Sequence, residues 1–166
     1  MQKIDRLGWA GGMAMAAYGH RIGIRVSETS ALARIAGLLP PGVKPTARPQ
    51  VECLYSLVVG SSGRKVRRFH LLYRGAERIA RTHDSDELYQ ILESDLRLHV
   101  AEGARSRVFV HAGVVGWRGG AILLPGRSLA GKSTLVDALI RAGATYYSDE
   151  YAVLDAPVER IPSPKP

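Results

Sequence analysis

The stretch Gly126-Arg-Ser-Leu-Ala-Gly131-Lys132-Ser133, with Thr134 directly after it, constrains this chain more than any other. Two glycines flanking four residues, followed by Lys-Ser, satisfy the phosphate-binding P-loop pattern. The spacing has a chemical reason. A wrapped loop turns its backbone N–H groups inward as an anion-binding nest, and glycine supplies the φ values that wrapping requires. Lys132 then reaches the β- and γ-phosphates of a nucleotide, and the Ser133 hydroxyl is placed to ligate Mg²⁺. A helix starting at Lys132 aims the positive end of its dipole at the same phosphates. The expected nucleotide-binding residues are therefore Gly126, Arg127, Ser128, Leu129, Ala130, Gly131, Lys132, Ser133 and Thr134.

The flanks supply the strand–loop–helix context that such a motif needs. Ala121-Ile-Leu-Leu124 is a short apolar run suited to a buried strand, and Pro125 ends it. Downstream, Leu135, Ala138, Leu139 and Ala142 recur at helical spacing, and Gly143 stands where a C′ glycine closes a helix. Upstream, Val108 to Trp117 reads as a strand entering the tight turn Arg118-Gly119-Gly120. A two-residue loop at Arg118-Gly119 sets His111 opposite Gly126, whereas a loop at Gly119-Gly120 sets it opposite Ser128. Either register brings His111 to the mouth of the loop. After the helix, Ala144-Thr-Tyr-Tyr-Ser-Asp149-Glu150 precedes Tyr151-Ala-Val-Leu154. An acidic pair at the end of the strand that follows a P-loop helix is where a Mg²⁺ ligand or a general base is expected. Asp149 and Glu150 fill that position.

The 105 residues ahead of this segment carry no catalytic signature. Arg21-Ile-Gly-Ile-Arg-Val26 alternates as a half-buried strand does, and Ala31 to Leu39 reads as a short helix stopped by Pro40-Pro41. Residues 40–49 hold four prolines and read as an extended connector. Strands are expected over Val51 to Val59 and Arg68 to Tyr73, joined as a hairpin, with a third over Arg78 to Arg81. Asp84 with Glu87 resembles a capping box. It opens a helix whose apolar stripe is Leu88, Ile91, Leu92, Leu96 and Val100, ending near Glu102. Two regions follow from this reading, 1–105 as a small α+β unit and 106–166 as the P-loop unit. His20, His70, His83 and His99 are scattered, with no metal-ligand spacing among them.

Charge and composition exclude other classes. The formal charge of +8 is spread along the chain, and its one cluster, Arg64-Lys65-Val66-Arg67-Arg68, follows a Gly/Ser turn as a solvated hairpin tip would. No nucleic-acid partner is expected. Cys53, the single cysteine, rules out an intramolecular disulfide and any cysteine-cluster metal site. Trp9 to Tyr18 is too short and too glycine-rich for a secretion signal, and no run is long enough to span a bilayer. A cytoplasmic protein is expected, with self-association left open.

His111, then Gly126-x-Ser128-x-x-Gly131-Lys132-Ser133, then Gly143 and the acidic pair together resemble the kinase domain of HPr kinase/phosphorylase. The likeness covers about residues 106–155. It implies an α/β fold, a P-loop nucleotide-binding sheet of the HPr kinase and phosphoenolpyruvate carboxykinase type. It also implies an ATP-dependent serine kinase that uses Mg²⁺ and acts on a protein or peptide. In the resemblance Lys132 holds the transferred phosphate, Ser133 and Asp149 serve the metal, Glu150 takes the serine proton, and His111 is a supporting catalytic residue. Glu150 stands where the family has aspartate, and Leu129 where glycine is common. The family's further metal-binding glutamate lies beyond Pro166, so the expectation is an incomplete sheet and a truncated kinase. The alternative is a nucleotide-binding regulatory module without catalysis.

Overall fold

The computed structural model describes residues 3–40, 42–60, 68–104, 107–127, 130–149 and 151–155. The chain divides into two compact units, Met1–Arg105 and Ser106–Pro166. Together they make a mixed α/β protein, with three α-helices among the described residues.

In the first unit a 3₁₀ turn at Lys3–Arg6 precedes β1 (Gly11–Ala17) and β2 (His20–Val26). Helix α1 (Ser30–Ala36), the two-residue β3 (Lys44–Pro45), β4 (Cys53–Val58), β5 (His70–Arg74), β6 (Glu77–Thr82) and helix α2 (Ser85–Gly103) follow. The six strands form one sheet in the order β3-β1-β2-β4-β5-β6. β2 and β4 run parallel, and the other neighbours run antiparallel. Alternation in β2 sends Ile22, Ile24 and Val26 into the core. On α2 the row Leu88, Leu92, Leu96 and Val100, spaced four apart, is sealed from solvent as the helix packs on β5 and β6. Each such side chain contributes roughly 1.5–3 kcal/mol by leaving water.

Asp84 caps α2 as expected, its Oδ1 accepting from the N–H of Asp86 at 2.8 Å and of Glu87 at 3.4 Å. The reciprocal half of the capping box is not made. The Glu87 carboxylate accepts from the Thr82 hydroxyl instead, and that hydroxyl accepts from the Asp84 N–H. Other expectations are corrected too. Helix α1 stops at Ala36, with Gly37 as C-cap, so it does not run to Leu39. Within the proline-rich connector Lys44–Pro45 pairs with β1. Strand β1 itself, made of glycine, alanine and methionine, was not expected as a strand. It closes on β2 through a two-residue turn, Tyr18 and Gly19 both at positive φ. The basic cluster falls outside the described residues apart from Arg68.

The second unit contains β7 (Val108–Trp117), β8 (Gly120–Pro125), helix α3 (Lys132–Arg141), β9 (Thr145–Ser148) and β10 (Tyr151–Leu154). All described pairings are antiparallel, with β8, β9 and β10 each bonded to β7. The register explains the layout. β9 and β10 lie along one edge of β7, Val114 against Ser148 and His111 against Tyr151. They behave as one strand interrupted after Ser148. Helix α3 lies on this sheet and buries Val136 against Val115 and Ala144. The contact is close at Gly113, where a Cβ would stand 2.6 Å from Val136 Cγ2. No helix among the described residues is long and apolar enough to cross a membrane.

Candidate functional site around the loop from Gly126 to Ser133

The turn between β7 and β8 decides where His111 goes. Arg118 and Gly119 both have positive φ, at 50° and 81°, the pair of values that a type I′ hairpin turn needs. Trp117 therefore pairs with Gly120 and Ala112 with Pro125. One further step along this register sets His111 opposite Gly126, the first of the two arrangements the sequence allowed. The His111 side chain is exposed, and its ring lies 5.6 Å from that of Tyr151 on the neighbouring strand.

The loop leaves β8 at Pro125 and enters α3 through Gly131, whose φ of 82° favours glycine. Gly131 offers no side chain to cap the helix, and the first turn contains no acidic residue. The opening N–H groups of α3 thus face away from the body of the helix with no side-chain cap bond among the described residues. Lys132 folds back over the loop. Its Nζ donates to Gly126 O and to Arg127 O, each at 2.8 Å. Both acceptors are neutral carbonyls, and no carboxylate pairs with Lys132 among the described residues. Gly126 differs from Gly131 in having an ordinary φ. A Cβ there would meet Ala130 and Lys132 only at 3.4–3.6 Å, ordinary contact distances. The fold of the chain does not itself demand glycine at 126. Ser133 and Thr134 are exposed in the first turn, while Ser128 and Leu129 lie outside the described residues. The far end of α3 closes as expected. Gly143, at φ 100°, donates to Ile140 O, and Ala144 donates to Leu139 O, the two bonds of a Schellman motif.

Asp149 follows β9 directly, and the gap between β9 and β10 falls opposite Ala112 and Gly113 of β7. Ala112 is also the residue that pairs with Pro125 on the other side. One level of one strand thus carries the start of the loop on one edge, the acidic residue on the other and His111 alongside. Two strand spacings, roughly 10 Å, separate the two edges. The Tyr146 hydroxyl donates to Asp149 Oδ1 at 3.0 Å, and the Tyr151 N–H donates to Ser148 Oγ at 3.2 Å across the gap. Glu150 lies outside the described residues. The sequence reading missed the Tyr146–Asp149 bond. An i,i+3 Tyr–Asp pair around a strand end was the only signal available.

The residues expected to serve magnesium are Ser133, exposed in the first turn of α3, and Asp149, directly after β9. This ion holds several waters and takes one or two protein oxygens plus substrate phosphates, and does not need a closed protein cage. Ser133 and Asp149 offer two such oxygens. Among the described residues no group of three or more His, Cys, Asp or Glu side chains converges as a metal cage would. Compared with known proteins, the chain matches no family model, no curated protein and no solved structure.

Proposed function

We propose that the second unit binds a nucleotide through Gly126 to Thr134 and serves ATP-dependent phosphorylation of a serine in a protein or peptide. The sheet would then be of the HPr kinase and phosphoenolpyruvate carboxykinase type that the motif spacing resembles. The observation that carries this reading is the convergence on β7. The phosphate-loop pattern, His111 and Asp149 are all brought to one level by the strand register. The absence of any fold requirement for glycine at 126 fits a backbone that a phosphate approaches closely.

In this reading Lys132 exchanges its two loop carbonyls for phosphate oxygens, gaining charged acceptors in place of neutral ones. The first-turn N–H groups of α3 hold the same phosphates. Ser133 and Asp149 hold Mg²⁺, which when bound spreads positive charge over the phosphate oxygens and offsets the charge of the transferring group. Tyr146 orients the Asp149 carboxylate. The resemblance gives Glu150 the role of accepting the serine proton, a step that contributes about 10² to 10⁴ in rate. His111 orients phosphate or the acidic pair. A non-catalytic nucleotide switch is the second reading, favoured by the lack of a third converging acidic group among the described residues.

Titration calorimetry with Mg²⁺ and ATP tests the binding step. Lys132→Ala is expected to weaken affinity roughly ten- to a hundredfold, the worth of a hydrogen bond to a charged group. Lys44→Ala, an exposed site in the first unit, is expected to leave it unchanged. Equal affinity in wild type and Lys132→Ala overturns the reading. Single-turnover transfer to serine peptides then separates kinase from switch.

A further inference from the structure

We propose that His20 and His99 share a single hydrogen between their Nε2 atoms and so form an acid-sensitive clasp that fastens the end of α2 to the start of β2. The two residues are 79 positions apart, yet their Nε2 atoms stand 2.9 Å from each other. The rings meet edge to face, with centroids 4.8 Å apart. On its other side His20 Nδ1 lies 2.6 Å from Glu52 Oε2. That oxygen also accepts the Arg21 N–H at 3.1 Å, and Glu52 N–H donates to Arg21 O at 2.9 Å, so the carboxylate is fixed from two directions.

Hydrogen accounting gives the clasp its sensitivity. A carboxylate is an acceptor only, so the Nδ1 of His20 must carry the hydrogen of that contact. The Nε2–Nε2 contact needs one N–H and one lone pair. When both rings are doubly protonated, N–H faces N–H between two like charges, and the contact cannot persist. Little slack exists to absorb the change, because a Cβ at Gly103, the last residue of α2, would lie 2.9 Å from the His20 ring. The other groups facing His99 are Tyr55 on β4, edge-on at 6.2 Å, Arg74 on β5, and Asp95 and Glu102 on α2. Burial, then the charges of His20 and Arg74, hold the His99 imidazole below its ordinary value against the opposing pull of Asp95 and Glu102. The unfolded chain therefore takes up more protons than the folded one as acid is added. Stability is complete above the ordinary imidazole value of about 6.5 and falls as pH drops through the lowered value of His99. Release frees the last turn of α2, which ends at Gly103.

Nitrogen-detected NMR of the wild-type chain between pH 8 and pH 5 is the direct test. The expected result is one hydrogen in the Nε2 contact at pH 8. The amides of the last turn of α2 should then shift together with the second protonation. In parallel, the folding equilibrium constant of wild type is expected to fall up to about tenfold per pH unit below 6.5 relative to His99→Gln, which cannot take the second proton. Independent titration of both rings with unmoved α2 amides overturns the clasp. So does a stoichiometric zinc ion that raises the Tm of wild type but not of His99→Gln, which would make the pair a metal site. The wild-type titration decides the matter even if the variant does not fold.

Discussion

The two units spend their apolar residues differently. The largest fully sealed side chains, from Met15 and Ile22 through Tyr55 and Leu72 to Leu92 and Leu96, all belong to the first unit, whereas the second seals the smaller Val115. Of the nine large hydrophobic residues left exposed among the described residues, seven belong to the second: Val108, Leu135, Ile140, Tyr146, Tyr147, Val153 and Leu154. A six-stranded sheet covered by a 19-residue helix can bury a continuous core. A four-stranded sheet with one 10-residue helix buries Val115, Val136 and Ala144, with Trp117, Ile122, Leu124 and Leu139 packed around them. Segments of about 60 residues leave more of their surface wet than larger ones do. The phosphate-loop pattern thus lies on the more weakly packed unit, as is common for elements that open and close on ligands.

Core truncation should separate the units most sharply. Leu92→Ala, in the sealed row of α2, is expected to cost about 2–5 kcal/mol. Leu135→Ala, at a residue 49% exposed on α3, should stay within about 0.5 kcal/mol. Denaturant titrations in Trp117→Phe and Trp9→Phe backgrounds read the units separately, since each unit holds one tryptophan. Comparable losses at the two sites would erase the contrast. A smaller effect is expected at Gly113→Ala. The added methyl meets Val136 at 2.6 Å, and such overpacking costs roughly 1–3 kcal/mol, visible through Trp117. A neutral result would mean that α3 stands further from β7 than described. Smallest is Asp84→Ala, which removes the acceptor for two N–H groups of α2 and should cost about 1 kcal/mol. Far-UV circular dichroism during unfolding checks it, and a loss as large as that at Leu92 would make capping, and not burial, the anchor of the first unit.

What the sequence disclosed follows from how local each signal is. The Asp84 cap, the Gly143 terminus and the α2 stripe are each written within a few residues and form as expected, while the hairpin turn was local enough to narrow to two loops, of which Arg118-Gly119 forms. Ile91 is the exception in that stripe, since it is only half-buried. Strand β1 was hidden because glycine, alanine and methionine carry little strand preference, and its hydrogen bonds depend on β2. The His20–His99 pair was invisible for the plainest reason. No period or spacing connects residues that meet only when a helix returns to the first hairpin.

The hairpin turn at Arg118-Gly119 also bears on the order of assembly. Hairpins of this kind close in about 1–10 μs and need only neighbouring residues. β9 and β10, in contrast, must wait until the chain has looped through α3, and such non-local pairing is the slower event. The second unit is therefore expected to acquire its histidine and the first glycine of its loop early, already opposed, and its acidic residue last. A chain interrupted late in folding would hold His111 opposite Gly126 without the strands that flank Asp149.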